Sequence, residues 1–471
     1  MAKRIEEDFL GKVDVPAEAY YGAFTVRAMN TFKISNSKVH PGLYRAVIMI
    51  KKAAALANGE LGVLDKKVSA AIVSTCDEAL SGKFNDQFVL DAFQAGAGTP
   101  LHMNVNEVIA NRANELLGGK RGEYKFVHPN NHVNAGQSSN DVTPTAVRIA
   151  ALLLMHPLLK EVELLEKTFA KKSSAYSKVI KVGRTHLQDA VPISYGQVFD
   201  AYAIAIKKDH TTLLSSFELL RELGIGGTAV GTGITAHPKF KEKIVQQLAK
   251  VTQLELSIAQ SSIETTHNMN LFSTSSSALR NYATTLNRIA NDLRLMVSGP
   301  KTAIAEVVLP EIEPGSSIMP GKINPSIPEA VNMVAFQIMG NDLAITLAAN
   351  SGQLELNFMT PLIAHNLLNG MEMLTNATKI FREKCVDGLR VDEKKVQEHF
   401  NNSFVYATAL NPYLGYSAVS KLVTEAYKKG KSLRALILEK KLLGEKELDK
   451  IIATATGPSE VDKGLMKKVK K

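Results

Sequence analysis

The sequence predicts a mainly α-helical protein of two or three domains, built around a set of long packed helices. Three observations predict it. Five segments, roughly 143–179, 190–222, 262–297, 326–354 and 359–388, keep a helical apolar period, and several exceed the length of an ordinary globular helix. In the third, Leu279, Ala283, Leu286, Ala290, Leu293 and Met296 recur at spacings of three and four, the stripe of a helix packed on other helices. The chain also has 471 residues, 45% of them hydrophobic, more than one small core organises.

Small residues crowd the long segments, as in STSSSALRNYA (273–283) and LAITLAAN (343–350), so neighbouring helices can approach closely. Helices of this length span ~40 Å or more at 1.5 Å per residue. One chain cannot cover all their apolar faces, so a homo-oligomer with a merged bundle is expected. Residues 1–140 read as an N-terminal, mixed but mainly helical domain, 141–391 as a central helical bundle, and 392–471 as a small C-terminal helical domain with a turn at ALNPYLGY (409–416).

Charge and cysteine content narrow the function classes. Of the net charge of +10, the stretch 461–471 (VDKGLMKKVKK) holds five lysines and one aspartate. A solvated terminus is the simpler reading of that run than a nucleic-acid contact, so no nucleic-acid partner is expected. Two distant cysteines, Cys76 and Cys385, make no disulfide framework and suit a reducing cytoplasm. MAKRIEEDFLGKVD lacks the apolar stretch of a secretory leader, and no run of about 18 apolar residues predicts a membrane span.

The chemistry-bearing residues lie between the helices. GAGTPLHMN (96–104), HPNNHVNAGQSSND (128–141), GRTHLQDAVP (183–192), GIGGTAVGTG (224–233) and GSSIMPGKIN (315–324) are rich in glycine, serine and small polar groups. GIGGTAVGTG follows a helix and lacks GxGxxG spacing, so it reads as a tight turn and not a nucleotide site. His128 and His132 are four apart, but Pro129 and two asparagines separate them and no third ligand is near, so no metal site is expected. Thr99, Ser138, Ser139, Asn140, Thr185, His186, Ser316, Ser317, Lys322 and Asn324 are hydrogen-bonding groups at helix breaks. Helix N-termini and backbone amides there favour anions, with Lys322 supplying a charge. Simple capping is the competing explanation, but it accounts for one residue of Ser138–Asn140, not easily for three.

GSSIMPGKIN resembles the signature loop of the aspartase/fumarase superfamily. GAGT…MNVNEVIANR, QSSND, GRTHLQDAVP, GGTAVGTG and ALNPYLGY occur in the expected order, so the resemblance covers essentially the whole chain. It implies a mainly α, three-domain aspartase/fumarase-type fold with a central five-helix bundle. It also implies a homotetramer with a twenty-helix core, and active sites each shared by three subunits. GAGT, GGTAVGTG, MGND (339–342) and SGQLELN (351–357) are more similar to the aspartase branch, whereas Ser139 and HPNNHVN are more similar to class II fumarase. Pro100 and His102 stand where the aspartase pattern has serine and asparagine.

The resemblance implies a reversible anti elimination of ammonia from L-aspartate to give fumarate, through an aci-carboxylate intermediate. The alternative is hydration of fumarate to L-malate, or a fumarate-forming elimination from another amino substrate. It casts Ser316 as the base. Thr99, Ser138, Ser139 and Ser317 would hold the β-carboxylate, and Thr185, Lys322 and Asn324 the α-carboxylate. Asn140 and His186, with Thr99, would face the amine, with Glu329 orienting His186. No cofactor and no metal are expected, and the partner is a small dicarboxylate.

Overall fold

The computed structural model describes residues 2–458, 461–464 and 466. Most of the lysine-rich end noted above lies outside the described residues. The chain opens with an antiparallel hairpin of β1 (Lys3–Asp8) and β2 (Gly11–Pro16). Four helices follow: α1 (Ala23–Thr31), α2 (Pro41–Glu60), α3 (Lys66–Leu80) and α4 (Thr99–Leu116). Next comes α5 (Ser139–Ala175), then β3 (Ile180–Thr185), β4 (Gln188–Ser194) and α6 (Tyr195–Glu218). β5 (Glu222–Leu223) pairs parallel with β6 (Ser257–Ile258) around α7 (Phe240–Thr252). After α8 (Ser262–His267) come three long helices, α9 (Asn270–Met296), α10 (Ser326–Ala349) and α11 (Thr360–Phe381). β7 (Val307–Val308) pairs with β8 (Arg390–Val391), and α12 (Glu393–Asn402), α13 (Ala407–Leu414), α14 (Tyr416–Lys429), α15 (Leu433–Glu439) and α16 (Glu445–Thr454) close the described chain.

The protein is mainly α, as its sequence predicts, and the five long segments are helices α5, α6, α9, α10 and α11. The predicted stripe on α9 is buried along its whole length, from Leu279 to Met296. Each fully buried leucine on it stabilises the packing by roughly 1.5–3 kcal/mol. Two expectations are corrected. The third segment is not one helix: α8 ends at an extended Asn268 before α9 begins. GRTHLQDAVP is not an irregular loop but the antiparallel hairpin β3–β4, whose Val182 and Pro192 are register partners. The predicted turn at ALNPYLGY lies at its end, where Gly415 (φ 83°) separates α13 from α14.

The chain forms two compact units. The first takes the chain up to Lys160, Asp209–Thr284 and Val334–Asn376; the second takes Glu161–Lys208, Thr285–Met333 and Ala377 onward. Within the first, Ser276 and Arg280 of α9 both bond Asp342 of α10, and Asn341 of α10 bonds Asn366 O of α11. Arg148 of α5 lies over the Phe272 ring of α9. Within the second, the Phe169 ring packs tilted against Phe199 and Phe381 and edge-on against Tyr202, joining α5, α6 and α11. Tyr202 bonds Asp292, and α12–α16 gather around a core that includes Leu410, Leu433 and Leu448.

By length and composition alone, α5 and α10 are long and apolar enough to cross a membrane. Neither is an uninterrupted apolar run, since Asp141 and Arg148 lie in α5 and Asp342 in α10. The α5 stretch is 78% buried in the fold, whereas that of α10 is only 39% buried. The difference comes from one seam on α10: Met333, Phe336, Leu343 and Leu347 are all exposed, with Gly340 between them. Their spacing of three, four, three and four is that of a helix prepared for another helix.

Candidate active site

The predicted site residues fall on three pieces of chain. The first is in the first unit, where α4 and α5 begin. Thr99 opens α4 after Gly98, whose φ of 70° is a left-handed turn, and Pro100 occupies the first turn, where its missing N–H costs nothing. Ser138 caps α5, its Oγ accepting from Asn140 N–H at 3.2 Å and its O accepting from Val142 N–H at 3.0 Å. Of Ser138–Asn140, capping therefore uses the side chain of Ser138 alone. Asn140 donates from Nδ2 to Ala229 O at 2.8 Å. Ser139 Oγ meets His102 Nδ1 at 2.9 Å.

Thr99, His102, Ser138 and Ser139 line one cleft of about 720 Å³, together with residues of 228–235. Asp141 fixes one wall of it. Its carboxylate is buried and accepts N–H bonds from Ser138, Gly226 and Thr228, each at 2.9 Å. Burial raises its pKa to about 6 against the pull of those three donors. GIGGTAVGTG is thus a tight turn bound to the start of α5, as its sequence suggests.

Behind this cleft lies a residue that the sequence pattern did not single out. Lys51 of α2 is fully buried. Its Nζ meets His102 Nε2 at 2.5 Å, Gln137 Oε1 at 2.9 Å and Asn134 Oδ1 at 3.1 Å. Burial lowers its pKa, opposed by the Asp141 carboxylate. The signal was present: Lys51 lies in the apolar face of PGLYRAVIMIKKAAALANGE, one helical turn from Val47 and Ala55. Nothing in the sequence named its partners.

His128 and His132 serve the turn beside the cleft. His128 Nδ1 accepts from the N–H groups of Asn130 and Asn131, and His128 N–H donates to His132 Nδ1 at 2.8 Å. Burial lowers both pKa values. Among the described residues, no group of three or more His, Cys, Asp or Glu side chains could hold a metal ion.

The second piece is the tip of β3–β4 in the second unit. Thr185 and Gln188 are register partners, so His186 and Leu187 form a two-residue turn with φ of 57° and 59°. Such turns favour Asn-Gly, and two side-chain-bearing residues at positive φ store strain. Thr185 and His186 are both exposed. The hairpin is anchored by the fully buried Glu306, which accepts from Arg184 Nη2 and Tyr195 OH at 2.8 Å and contacts His399 Nδ1 at 2.8 Å.

The third piece, also in the second unit, is the loop 315–324. Gly315 N–H donates to Lys322 O at 2.8 Å, Asn324 Nδ2 to Gly315 O at 2.7 Å, and Lys322 Nζ to Asn324 Oδ1 at 2.5 Å. The loop is therefore closed on itself. Inside it, Ser316 Oγ accepts from the N–H groups of Met319 and Ile318 at 3.0 and 3.2 Å. Ser317 and Ile318 are exposed. Lys322, Asn324 and Glu329 line a second cleft of about 1000 Å³.

Each of the three pieces presents hydroxyl, amide, imidazole or ammonium groups of the kind that bind small anions. The family model described as Lyase matches residues 11–340, and that described as Fumarase C C-terminus matches 407–456. The chain belongs to the aspartase/fumarase superfamily. An aspartate ammonia-lyase from Bacillus sp is 46% identical, over 95% of this chain and 96% of its own length. The aspartate ammonia-lyase of Escherichia coli (strain K12) is 43% identical, over 96% and 95%. Among solved superfamily structures, the fumarate lyase:delta crystallin from Brucella melitensis bound to cobalt superposes with a TM-score of 0.94 at 43% identity, covering 97% of this chain and 100% of that one. The class II fumarase from Schistosoma mansoni superposes at 0.92 with 38% identity, over 98% and 100%.

Proposed function

We propose that the chain is a carbon–nitrogen lyase, an aspartate ammonia-lyase that converts L-aspartate reversibly to fumarate and ammonia. The observation that carries the reading is Ser316: a hydroxyl oxygen accepting two backbone N–H bonds, at the start of a self-closed loop. Hydrogen bonds to an oxygen favour its charged form, so these donors push the hydroxyl towards alkoxide. Near-full-length similarity to aspartate ammonia-lyases supports the amino substrate.

In this reading Ser316 takes the proton from Cβ. The electron pair left behind moves into the adjacent carboxylate to give the aci-carboxylate. It then returns to form the Cα–Cβ double bond as the Cα–N bond breaks and ammonia leaves. Stabilising the extra charge on the β-carboxylate is the main task, and donors fixed in advance do it best. Thr99, Ser138, Ser139 and Ser317 hold that carboxylate. Thr185, Lys322 and Asn324 hold the α-carboxylate. Asn140, whose Nδ2 donates to Ala229 O, faces the amine. His186 shares that position, oriented by Glu329. The substrate brings its own charges, so the reaction requires neither cofactor nor metal.

The three pieces of chain come from three subunits of a homotetramer, whose cores merge along the exposed seam of α10. The division into domains 1–140, 141–391 and 392–471 belongs to the same reading, as do a cytoplasmic location and the absence of nucleic-acid and membrane partners. The test is a paired assay on one purified sample, following fumarate from L-aspartate and from L-malate. Fumarate from aspartate alone is expected. Equal or faster turnover of malate overturns the amino-substrate reading in favour of the hydratase.

A further inference from the structure

Lys51, His102 and Ser139 form a chain of contacts from the buried side of α2 to the cleft, and with Lys51 as the ammonium its hydrogen-bond inventory gives each proton in it a direction. The nearby Asp141 carboxylate favours the charged form of Lys51 against its burial, and an ammonium has three donors and no acceptor. Lys51 Nζ has three partners: His102 Nε2 at 2.5 Å, Gln137 Oε1 at 2.9 Å and Asn134 Oδ1 at 3.1 Å. Both amides are held oxygen-first by their own nitrogens. Gln137 Nε2 donates to Val133 O and Ala135 O, and Asn134 Nδ2 donates to Gln137 O. The ammonium therefore donates to all three atoms, His102 Nε2 included.

A neutral imidazole that accepts at Nε2 carries its proton on Nδ1. His102 is 2% exposed, and burial with the neighbouring ammonium holds its pKa well below the ordinary 6.5, so the ring is neutral. Nδ1–H then donates to Ser139 Oγ at 2.9 Å. With that lone pair occupied, the Ser139 O–H is left to donate elsewhere, and Ser139 lines the cleft.

We infer that His102, keyed by the Lys51 ammonium, is a positioning residue that presents the Ser139 hydroxyl as a donor to the substrate carboxylate. The relay also sets a cation two side chains behind the group on which charge develops. Asparagine, the superfamily residue at this position in the aspartase pattern, is too short to reach both Lys51 and Ser139, so the device is particular to the histidine. Glutamine can accept from Lys51 through Oε1 and donate to Ser139 through Nε2, and should preserve it. This inference rests on the lyase reading for the identity of the substrate, though not for its dicarboxylate nature.

A double-mutant cycle tests it. His102→Leu, Ser139→Ala and the double variant are compared for kcat/KM on L-aspartate and, by calorimetry, for affinity for fumarate. His102→Leu should cost about as much as Ser139→Ala, on the order of tenfold or more, and the double variant should be no worse than Ser139→Ala within about twofold. His102→Gln should recover most of the loss. Losses that multiply in the double variant overturn the inference, as does a His102→Leu enzyme within about twofold of the parent. If His102→Leu does not assemble, His102→Gln decides: activity near the parent supports the relay, and a fall to the Ser139→Ala level overturns it. A parent enzyme inert on aspartate whose fumarate affinity shows the same coupling would refute the substrate and leave the relay standing.

Discussion

Ser316 Oγ accepts a hydrogen bond from the Met319 N–H at 3.0 Å. With the second donor, Ile318 N–H at 3.2 Å, this leaves the hydroxyl in a small nest of backbone amides. Such donors stabilise an alkoxide more than an alcohol. Ser316→Ala removes the proposed base and leaves the rest of the loop's hydrogen bonds in place. A positioned general base contributes ~10²–10⁴-fold, so kcat should fall by at least the lower figure. Thermal midpoint and oligomeric state should not move. Steady-state kinetics beside size-exclusion chromatography check this, and near-normal turnover would remove Ser316 from the base role.

Gly315 is the glycine on which loop closure depends. A Cβ there would lie 2.6 Å from Lys322 O and 2.7 Å from Asn324 N, closer than side-chain carbons approach backbone atoms. Gly315→Ala must therefore open the Gly315–Lys322 pairing. Misplacing reacting groups by about 1 Å can cost ~10²-fold, and the loss should appear in kcat. Because the loop is largely exposed, the melting temperature should stay within a few degrees of the parent, which separates a loop effect from misfolding. Unchanged kinetics would mean that the closed loop form is not needed for turnover.

How much of this was legible in the sequence follows from the kind of signal each part left. The α9 stripe is periodic, and periodicity survives without knowledge of partners, so the long helices were readable. The β3–β4 hairpin was not, because its tip carries His186 and Leu187 where hairpin turns usually announce themselves with glycine or asparagine. At the site, the polar residues of the breaks stood out by composition. Their division of labour did not: Ser138 caps, Ser139 reaches His102 and Asn140 reaches Ala229, which only coordinates could separate. Lys51 was hidden because its partners come from α4 and the turn before α5, far away in sequence.

His102 should also leave a mark on acid stability. Its pKa is well below 6.5 in the folded protein and near that value when unfolded. Between the two values the unfolded chain binds a proton that the folded one does not. Stability from this residue is therefore fully present above the unfolded pKa and declines as pH falls through it. His40, His128, His132 and His365 are shifted in the same direction and share the slope. The raised carboxyls of Glu107, to about 7, and Asp141, to about 6, slope oppositely: they lose stability as pH rises towards those values. Comparing variants cancels these common contributions. His102→Asn should unfold at a lower temperature than the parent near pH 7, and the gap should narrow on acidification to about pH 5. A gap that is constant with pH would show that His102 is protonated alike in both states.

Shared active sites make a prediction that no single-chain site can meet. Ser139 and Ser316 lie in different compact units, and the proposal draws them from different subunits of one tetramer. The seam of Met333, Phe336, Leu343 and Leu347, each at least 59% exposed in the single chain, is where those subunits would join. Ser139→Ala and Ser316→Ala enzymes should each be weak or inactive as pure tetramers. Mixed, dissociated and reassembled at equal ratio, they form hybrids in which some sites draw an intact Ser139 from one chain and an intact Ser316 from another. Random assembly meets each condition half the time, so about one quarter of the parent activity should return. If both serines of a site came from one chain, every site would keep a lesion and nothing would return. Introducing Phe336→Glu into both variants should block recovery by preventing reassembly, which ties the regained activity to the α10 seam.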